Sequence, residues 1–401
     1  MRWINNSCIC IDTVFMKERL YIMDTIIVGC GFGGAVTAHV LAESGKKVRI
    51  IERRDHIGGN CHDQYDEHGI LIHTYGPHIF HTKHKEVYDY LSRFTDWYAY
   101  EHEVIGNIYG NYIPIPFNLC SLEMVYDKEK AKRIRDILIN TYGEGSEVTV
   151  LELKQHSNKE IQEVANYVYE NIFLKYTMKQ WNQKPEEVDQ SVIARVPVRI
   201  STDCRYFQDP WQGMPLEGYT RLFEKMLDHE NIHLELNTDA KDIITFDYDN
   251  NSVYVDDKQF DGDIVFTGAV DELFDYHYGK LPYRSLRFQF EHYDKEYFQS
   301  KGVVNYTVSE DYTRITEFKY LTGQQAVSTT IVKEYPMNYD HQGQEPYYAI
   351  LTEENCTLHK RYEELAERFH MHLLGRLAQY RYYNMDEIVL EALQLAERLK
   401  G

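Results

Sequence analysis

The sequence predicts an α/β fold: a Rossmann-like nucleotide-binding domain assembled from discontinuous segments, carrying an inserted helical domain and an antiparallel β-sheet domain. Three observations carry this expectation. A strand, glycine loop, helix and second strand open the main body of the chain. Segments of helical period fill the middle, and alternating apolar and polar segments follow from residue 283 onward.

Residues 25–28 read as a short buried strand, followed by Gly29-Cys30-Gly31-Phe32-Gly33-Gly34 and a helical stretch over 35–43 that Ser44-Gly45 ends. Residues 47–52 form a second strand ending in an acid, Glu52, which completes a β-α-β unit. Gly29, Gly31 and Gly34 fit G-x-G-x-x-G. The first glycine permits a tight turn, the second lets a pyrophosphate approach the backbone, and the third lets helix and strand pack closely. The helix N-terminus offers N–H groups and partial positive charge to phosphates. Glu52 stands where an acid bonds a ribose hydroxyl. Together these features predict a dinucleotide site, and at this point they do not separate FAD from NAD. Arg53 and Arg54 admit a 2′-phosphate contact, but a solvated basic turn is the favoured reading.

Further on, 122–140 and 158–183 read as helices with Leu138, Ile139, Val164, Val168, Ile172 and Met178 in the core. Residues 285–290, 303–308 and 326–332 read as antiparallel strands, and 264–267 as one more parallel strand ended by Gly268. The tail over 385–399 is an amphipathic helix. The expected domains are 23–90, 216–275 and 365–401 for the nucleotide, 118–185 for the helical insertion, and 91–117, 186–215 and 276–364 for the sheet. Residues 1–22 are set aside as an extension before Met23, possible as a start-site artefact. Lys17, Glu18 and Arg19 interrupt the apolar core a signal peptide needs.

With 63 acidic against 43 basic side chains, the formal charge is −20. Such a field repels nucleic acid and anionic membranes, so an anionic substrate demands a local cluster of cations. The 34 Tyr suit a polar ligand cleft. Seven Cys show no metal or redox spacing, and no apolar run approaches the ~18 residues of a membrane span. Reduced thiols, no metal and a cytoplasmic location are expected.

Several motifs then occur in order from Met23 to the C-terminus. They are Ile51-Glu52-Arg53-Arg54-Asp55-His56-Ile57-Gly58-Gly59-Asn60, Gly76-Pro77-His78-Ile79-Phe80-His81, Tyr176-Thr177-Met178-Lys179-Gln180-Trp181 and Val196-Pro197-Val198-Arg199. Tyr219-Thr220, Tyr283-Arg284-Ser285-Leu286, Tyr312-Thr313-Arg314-Ile315, Lys333-Glu334-Tyr335-Pro336 and Gly375-Arg376-Leu377-Ala378 with Tyr382-Tyr383 continue the series. The set resembles the UDP-galactopyranose mutase family. Four departures stand out: Phe32-Gly33-Gly34 in place of Leu-Phe-Gly, Leu374 for a glycine, Asn384 for Asp and Gln379 for Glu. The last two remove negative charge expected near flavin and substrate.

The resemblance implies a redox-neutral isomerisation of UDP-galactopyranose to UDP-galactofuranose, with reduced FAD as covalent nucleophile and surface glycan as the product's destination. By the family pattern, Arg199 and Arg314 close on the diphosphate, Tyr176 stacks on uracil, Trp181 borders the sugar pocket, and Tyr206, Tyr335 and Tyr382 donate hydroxyls. Gly29, Gly31, Phe32, Gly34, Glu52, Arg53, Gly59 and Asn60 hold FAD, with Arg376 on its phosphates. Met385 opens a helix aimed at the flavin's pyrimidine edge, Arg284 approaches flavin or sugar, and His78 orients the isoalloxazine. The catalytic set is Arg199, Arg314 and His78, with His81 left to packing and no general acid or base. Residues 199–213, containing Asp209, Pro210 and Gly213, form a lid. A homodimer and a flavin reductant such as NADH or NADPH complete the expectation. Two rival readings remain: an amine-oxidase-like FAD oxidoreductase, and a non-catalytic UDP-sugar-binding flavoprotein.

Overall fold

In the computed structural model, which describes residues 23–181, 197–340 and 343–400, the first apolar run forms the strand Thr25–Val28, parallel to Val48–Ile51. The helix between them, Phe32–Glu43, is buried from Phe32 to Ala42 and packs on the terminal helix Met385–Leu399. A helix apolar all round is stable only when covered on both sides, and the sheet and the terminal helix cover this one. Three more parallel strands complete the sheet, whose order is Ile232–Glu235, Val48–Ile51, Thr25–Val28, Asp263–Phe266 and Met371–Leu373. The nucleotide-binding sheet is thus drawn from distant segments, as expected.

Two compact units result. One holds the described residues up to Gly59, Thr220–Leu281 and those from Thr352 on; the other holds Asn60–Tyr219 and Pro282–Leu351. This differs from the expected three domains. The helices between residues 119 and 174 and the seven-stranded sheet share one core, in which Val104, Ile113 and Val303 meet Leu122, Ile134, Leu138 and Val164. A helical insertion without a core of its own is not a separate domain. Residues 60–90 belong to the second unit, because Ile70 and Ile72 pack on Phe318 and Val332. Residues 352–364 belong to the first, where the Tyr362 hydroxyl donates to the Gly279 carbonyl at 2.7 Å.

The seven-stranded sheet runs Tyr348–Ala349, Tyr283–Tyr293, Thr329–Asn338, Arg314–Glu317, Val303–Tyr306, Val104–Ile108, Asn111–Ile115. It is antiparallel except where Val303–Tyr306 meets Val104–Ile108. The segment 122–140, expected as one helix, is two: Leu119–Val125 and Lys128–Tyr142. Asp127 breaks it, its carboxylate accepting from the Lys130 N–H at 2.9 Å as an N-cap. The expected helix over 158–183 appears as Lys159–Val168, a wider turn over Tyr169–Leu174, and Lys175–Trp181; its end lies outside the described residues, as do residues 1–22. Met178, expected in the core, is 44% exposed. Among the described residues no helix is long and apolar enough to cross a membrane.

Candidate functional site

The first unit carries a cradle made of backbone. Gly29 has φ +99°, and a Cβ there would meet the Thr267 hydroxyl at 2.0 Å. A Cβ on Gly34 would stand 2.0 Å from the Gly29 carbonyl oxygen, so the turn closes on its own glycines. Gly31 is different: an added Cβ would find only the Gly59 Cα, at 3.8 Å. The two glycine turns are bonded together, the Gly58 N–H donating to the Cys30 carbonyl at 2.9 Å. Glu52 is 5% exposed, and its carboxylate accepts from the N–H groups of Cys30 at 2.8 Å and Arg54 at 2.9 Å. A carboxylate has about four acceptor sites, so two such bonds leave capacity for a ribose hydroxyl. The helix Phe32–Glu43 has no side-chain cap and no acid in its first turn. A glycine-rich loop leading into a helix start without a side-chain cap fits a dinucleotide pyrophosphate.

Other expected cofactor residues fall as follows. Phe32 opens that helix, its ring 4.7 Å from Phe223. Arg53 is 3.6 Å from Glu272. Arg376 donates to the Tyr383 carbonyl at 2.6 Å and lies over the Tyr382 ring at 4.7 Å. Met385 begins its helix as expected, with the Asn384 N–H donating to Glu387 at 2.7 Å. Gln379 accepts from the Gly375 N–H and the Tyr383 hydroxyl, at 2.9 and 2.7 Å, which an amide oxygen does without charge. Asn60, His78 and Arg284 belong to the second unit. There Arg284 is buried, paired with Asn338 on the neighbouring strand. His78 Nδ1 lies 2.9 Å from the Gly76 carbonyl, and its backbone N–H donates to His73 Nδ1 at 3.0 Å. His73 is buried, and burial pushes its pKa down to about 4, so it stays a neutral acceptor behind the histidine loop.

The second unit carries a cluster made of side chains. Arg314 and Glu334 are register partners on adjacent strands, with Arg314 Nε 2.9 Å from Glu334 Oε2. The pair is lopsided: Glu334 is 1% exposed and Arg314 25%. Glu334 Oε1 has no hydrogen-bond partner among the described residues. Burial works against the charge on Arg314, and the Glu334 carboxylate outweighs it and keeps the guanidinium charged, with Tyr176, Tyr348 and Tyr206 close by. Burial, against the pull of Arg314, raises the pKa of Glu334. The Tyr176 hydroxyl is pushed up to about 12, chiefly by burial. This is a partly exposed cation with a buried carboxylate and three tyrosines around it, a local positive charge of the kind the acidic global charge demands.

Lys179 brings Tyr176 here. Its ammonium donates to the carbonyls of Tyr306 at 2.7 Å and Tyr312 at 3.3 Å, tying the helix Lys175–Trp181 to the sheet. Tyr206 arrives from the opposite side, its N–H donating to the His102 carbonyl at 2.6 Å. Phe207 stacks on His81 at 3.5 Å, and His81 Nδ1 meets Asp209 at 2.6 Å. His81 thus fastens the 199–213 segment as well as packing. His102 is held neutral, its pKa lowered to about 3 by burial, then by Arg314 and His81.

Arg199 stands on Val198–Arg199, donating to Glu147 at 2.8 Å and to the Arg205 carbonyl at 2.6 Å. Tyr335 takes the opposite face of its strand from Glu334, with Arg287 over its ring at 3.9 Å. Tyr382 belongs to the first unit, and the side chain of Trp181 lies outside what the structure describes. Glu334, Tyr348, Lys179 and His102 had no assigned role. Only strand register exposes Glu334 as the partner of Arg314.

The chain was compared with known proteins. Residues 171–382 match the family model described as UDP-galactopyranose mutase, and 27–94 that of an NAD(P)-binding Rossmann-like domain. It is 34% identical over 385 residues to the UDP-galactopyranose mutase of Mycoplasma pneumoniae, covering 94% of this chain and 96% of that one. It is also 34% identical over 377 residues to the dTDP-fucopyranose mutase of Escherichia coli, covering 93% and 97%. A crystal structure of reduced UDP-galactopyranose mutase shares the fold, with a TM-score of 0.67 at 16% identity, covering 94% of this chain and 93% of the other.

Proposed function

We infer the reaction from what the chain is: a member of the UDP-galactopyranose mutase family, a flavoenzyme whose cofactor is FAD. It is an isomerase that interconverts UDP-galactopyranose and UDP-galactofuranose. When bound in its reduced form, FAD supplies an electron-rich nucleophile for the anomeric carbon, which permits a ring contraction without net redox change.

The chain's own residues do the rest. Gly29, Gly31, Gly34 and the helix start at Phe32 take the cofactor pyrophosphate, Glu52 its ribose, and Arg376 its phosphates. Asn60, His78, Arg284, Arg53, Gly59 and Met385 are assigned to the cofactor by resemblance. The open side of Arg314 receives the substrate diphosphate and holds the negative charge that grows on it as the glycosidic bond breaks. Glu334 keeps the guanidinium oriented from behind. Tyr176, Tyr206 and Tyr348 lie around the same arginine, and their hydroxyls suit phosphate or uracil. Arg199 is released toward substrate only by giving up Glu147 and the Arg205 carbonyl. Tyr335, Tyr382 and Trp181 are carried as substrate residues by resemblance. In the cell, the reading extends to a cytoplasmic homodimer, reduced by NADH or NADPH and feeding surface glycan synthesis.

The lopsided Arg314–Glu334 pair is the observation that carries this reading, since it places a partly exposed cation in an acidic protein. Similarity of the same degree to a dTDP-fucopyranose mutase makes the nucleotide sugar the point to test. Dithionite-reduced protein is incubated without oxygen with each nucleotide sugar, and the products are separated by chromatography. Furanose from UDP-galactopyranose with reduced protein alone is expected. Turnover confined to dTDP-fucopyranose would transfer the chain to that substrate, and peroxide or NADH consumption in step with substrate loss would make it an oxidoreductase.

A further inference from the structure

The segment that follows Arg199 brings together two thiols 84 positions apart in the chain, Cys120 and Cys204. Cys120 is the second residue of the helix Leu119–Val125, and Cys204 precedes Arg205 and Tyr206. Both sulfurs reach one acceptor, the Thr202 carbonyl, at 3.5 Å from Cys120 and 3.7 Å from Cys204. Cys204 is close enough to act on the Cys120 thiol, and Asn118 Nδ2 approaches Cys204 Sγ at 3.6 Å. Both are partly exposed, whereas Cys30 and Cys61 are buried. Two sulfurs without further ligands are a poor metal site, and no group of three His, Cys, Asp or Glu able to hold a metal occurs among the described residues. A disulfide asks only for this pair.

We propose that Cys120 and Cys204 form a thiol-modification site that reacts with small-molecule disulfides and closes to an intramolecular disulfide, fastening the 199–213 segment to the helix Leu119–Val125. One protein thiolate attacks a sulfur of the small disulfide, forming a mixed disulfide and releasing one small thiol. The second protein thiolate attacks the mixed disulfide and releases the other. Two protein thiols are oxidised by two electrons, and one small disulfide is reduced to two thiols. Burial, and then the neighbouring Cys204, push the Cys120 thiol up to about 11. A Cys120 thiolate is therefore scarce at neutral pH, and its attack quickens as pH rises.

Cys204 sits between two parts of the proposed substrate site. The Asp203 carbonyl accepts from Asn118 at 3.5 Å, and the Arg205 carbonyl accepts from Arg199 at 2.6 Å. A covalent tie at 204 limits the movement by which Arg199 and Tyr206 would turn toward nucleotide. That consequence rests on the substrate role given to the segment; the chemistry of the dithiol does not.

The test uses FAD-loaded protein with excess oxidised glutathione at mildly alkaline pH, read by intact mass, peptide mapping and UDP titration. Expected are a loss of about 2 Da with one cross-linked peptide joining Cys120 to Cys204, and glutathione retained on Cys204 in Cys120→Ser. UDP should bind about fivefold or more weakly to the oxidised protein, recover with dithiothreitol, and be indifferent to oxidant in the double variant Cys120→Ser with Cys204→Ser. Glutathione that stays on either cysteine of the wild type without a cross-link overturns the proposal, as does a cross-link running only through Cys8, Cys10 or Cys356. A Cys120–Cys204 cross-link with unchanged UDP affinity supports the site and contradicts the substrate role of the segment.

Discussion

The glycine cradle of the first unit and the arginine–glutamate pair of the second, the two proposed phosphate sites, are built by opposite means. The cradle is backbone: Gly29, Gly31 and Gly34 lie within six consecutive residues and are shaped by the side chains they lack. The pair is side chain: Arg314 and Glu334 meet only because two strands are in register, and Tyr176, Tyr206 and Tyr348 reach them from three further places. A backbone site is encoded locally and breaks when one atom is added. A side-chain site is encoded by tertiary structure, and each member can be altered with a graded effect.

The largest expected effect tests the first half of this contrast. Gly34→Val drives a side chain into the Gly29 carbonyl, so no flavin absorbance and little soluble protein should be recovered. Gly31→Ala sharpens it. Its Cβ meets protein only at ordinary contact distance, so the variant should fold with a near-native melting temperature yet bind FAD about 10-fold more weakly, by flavin fluorescence titration. Equal effects of the two substitutions would mean the cradle is merely a structural turn.

Glu334→Gln comes next. It leaves the Arg314 charge without its partner, and loss of one member of a buried pair costs about 3 kcal/mol, discounted toward 2 because Arg314 is a quarter exposed. Urea unfolding should show that loss. UDP should restore more stability in the variant than in the wild type, since the ligand supplies the missing anion.

A comparable effect, confined to acid, belongs to His73. Its native pKa of about 4 lies below the ordinary 6.5, so the unfolded chain binds a proton that the native protein refuses. The stabilisation is complete above pH 6.5, declines as pH falls, and is gone below about 4, a total of about 3 kcal/mol. The neutral His102 adds in the same direction. Tyr219 from the adjoining helix, Phe318 and the His78 backbone N–H face this imidazole, and Asp63 is its register partner on the adjacent strand. His73→Asn should flatten the acid limb of stability measured between pH 4 and 7. The smallest effect is expected of Gln379→Glu: a carboxylate can accept the same two hydrogen bonds, so thermal stability should shift by less than about 0.5 kcal/mol.

The contrast also explains what was legible in the sequence. The β-α-β unit, Glu52 and the C-terminal helix could be read closely because their signals lie within a few residues of one another. The break at Asp127 had a local sign too, an acid directly ahead of a helix-forming run, and the apolar period across it masked that sign. Domain boundaries were not legible, since a shared core leaves no mark in either segment. Neither was Glu334. Residue type drew attention to the Tyr335 hydroxyl, but alternation along the strand turns Tyr335 to Arg287 and Glu334 to Arg314.

The division of labour between the two units has one direct measurement. Flavin content and UDP affinity are determined on the same preparations of wild type and Arg314→Ala, by absorbance and by calorimetry. The variant is predicted to keep its full yellow chromophore and to lose about 100-fold in UDP affinity. Unchanged UDP binding in a fully flavinylated variant would place the nucleotide elsewhere and contradict the account.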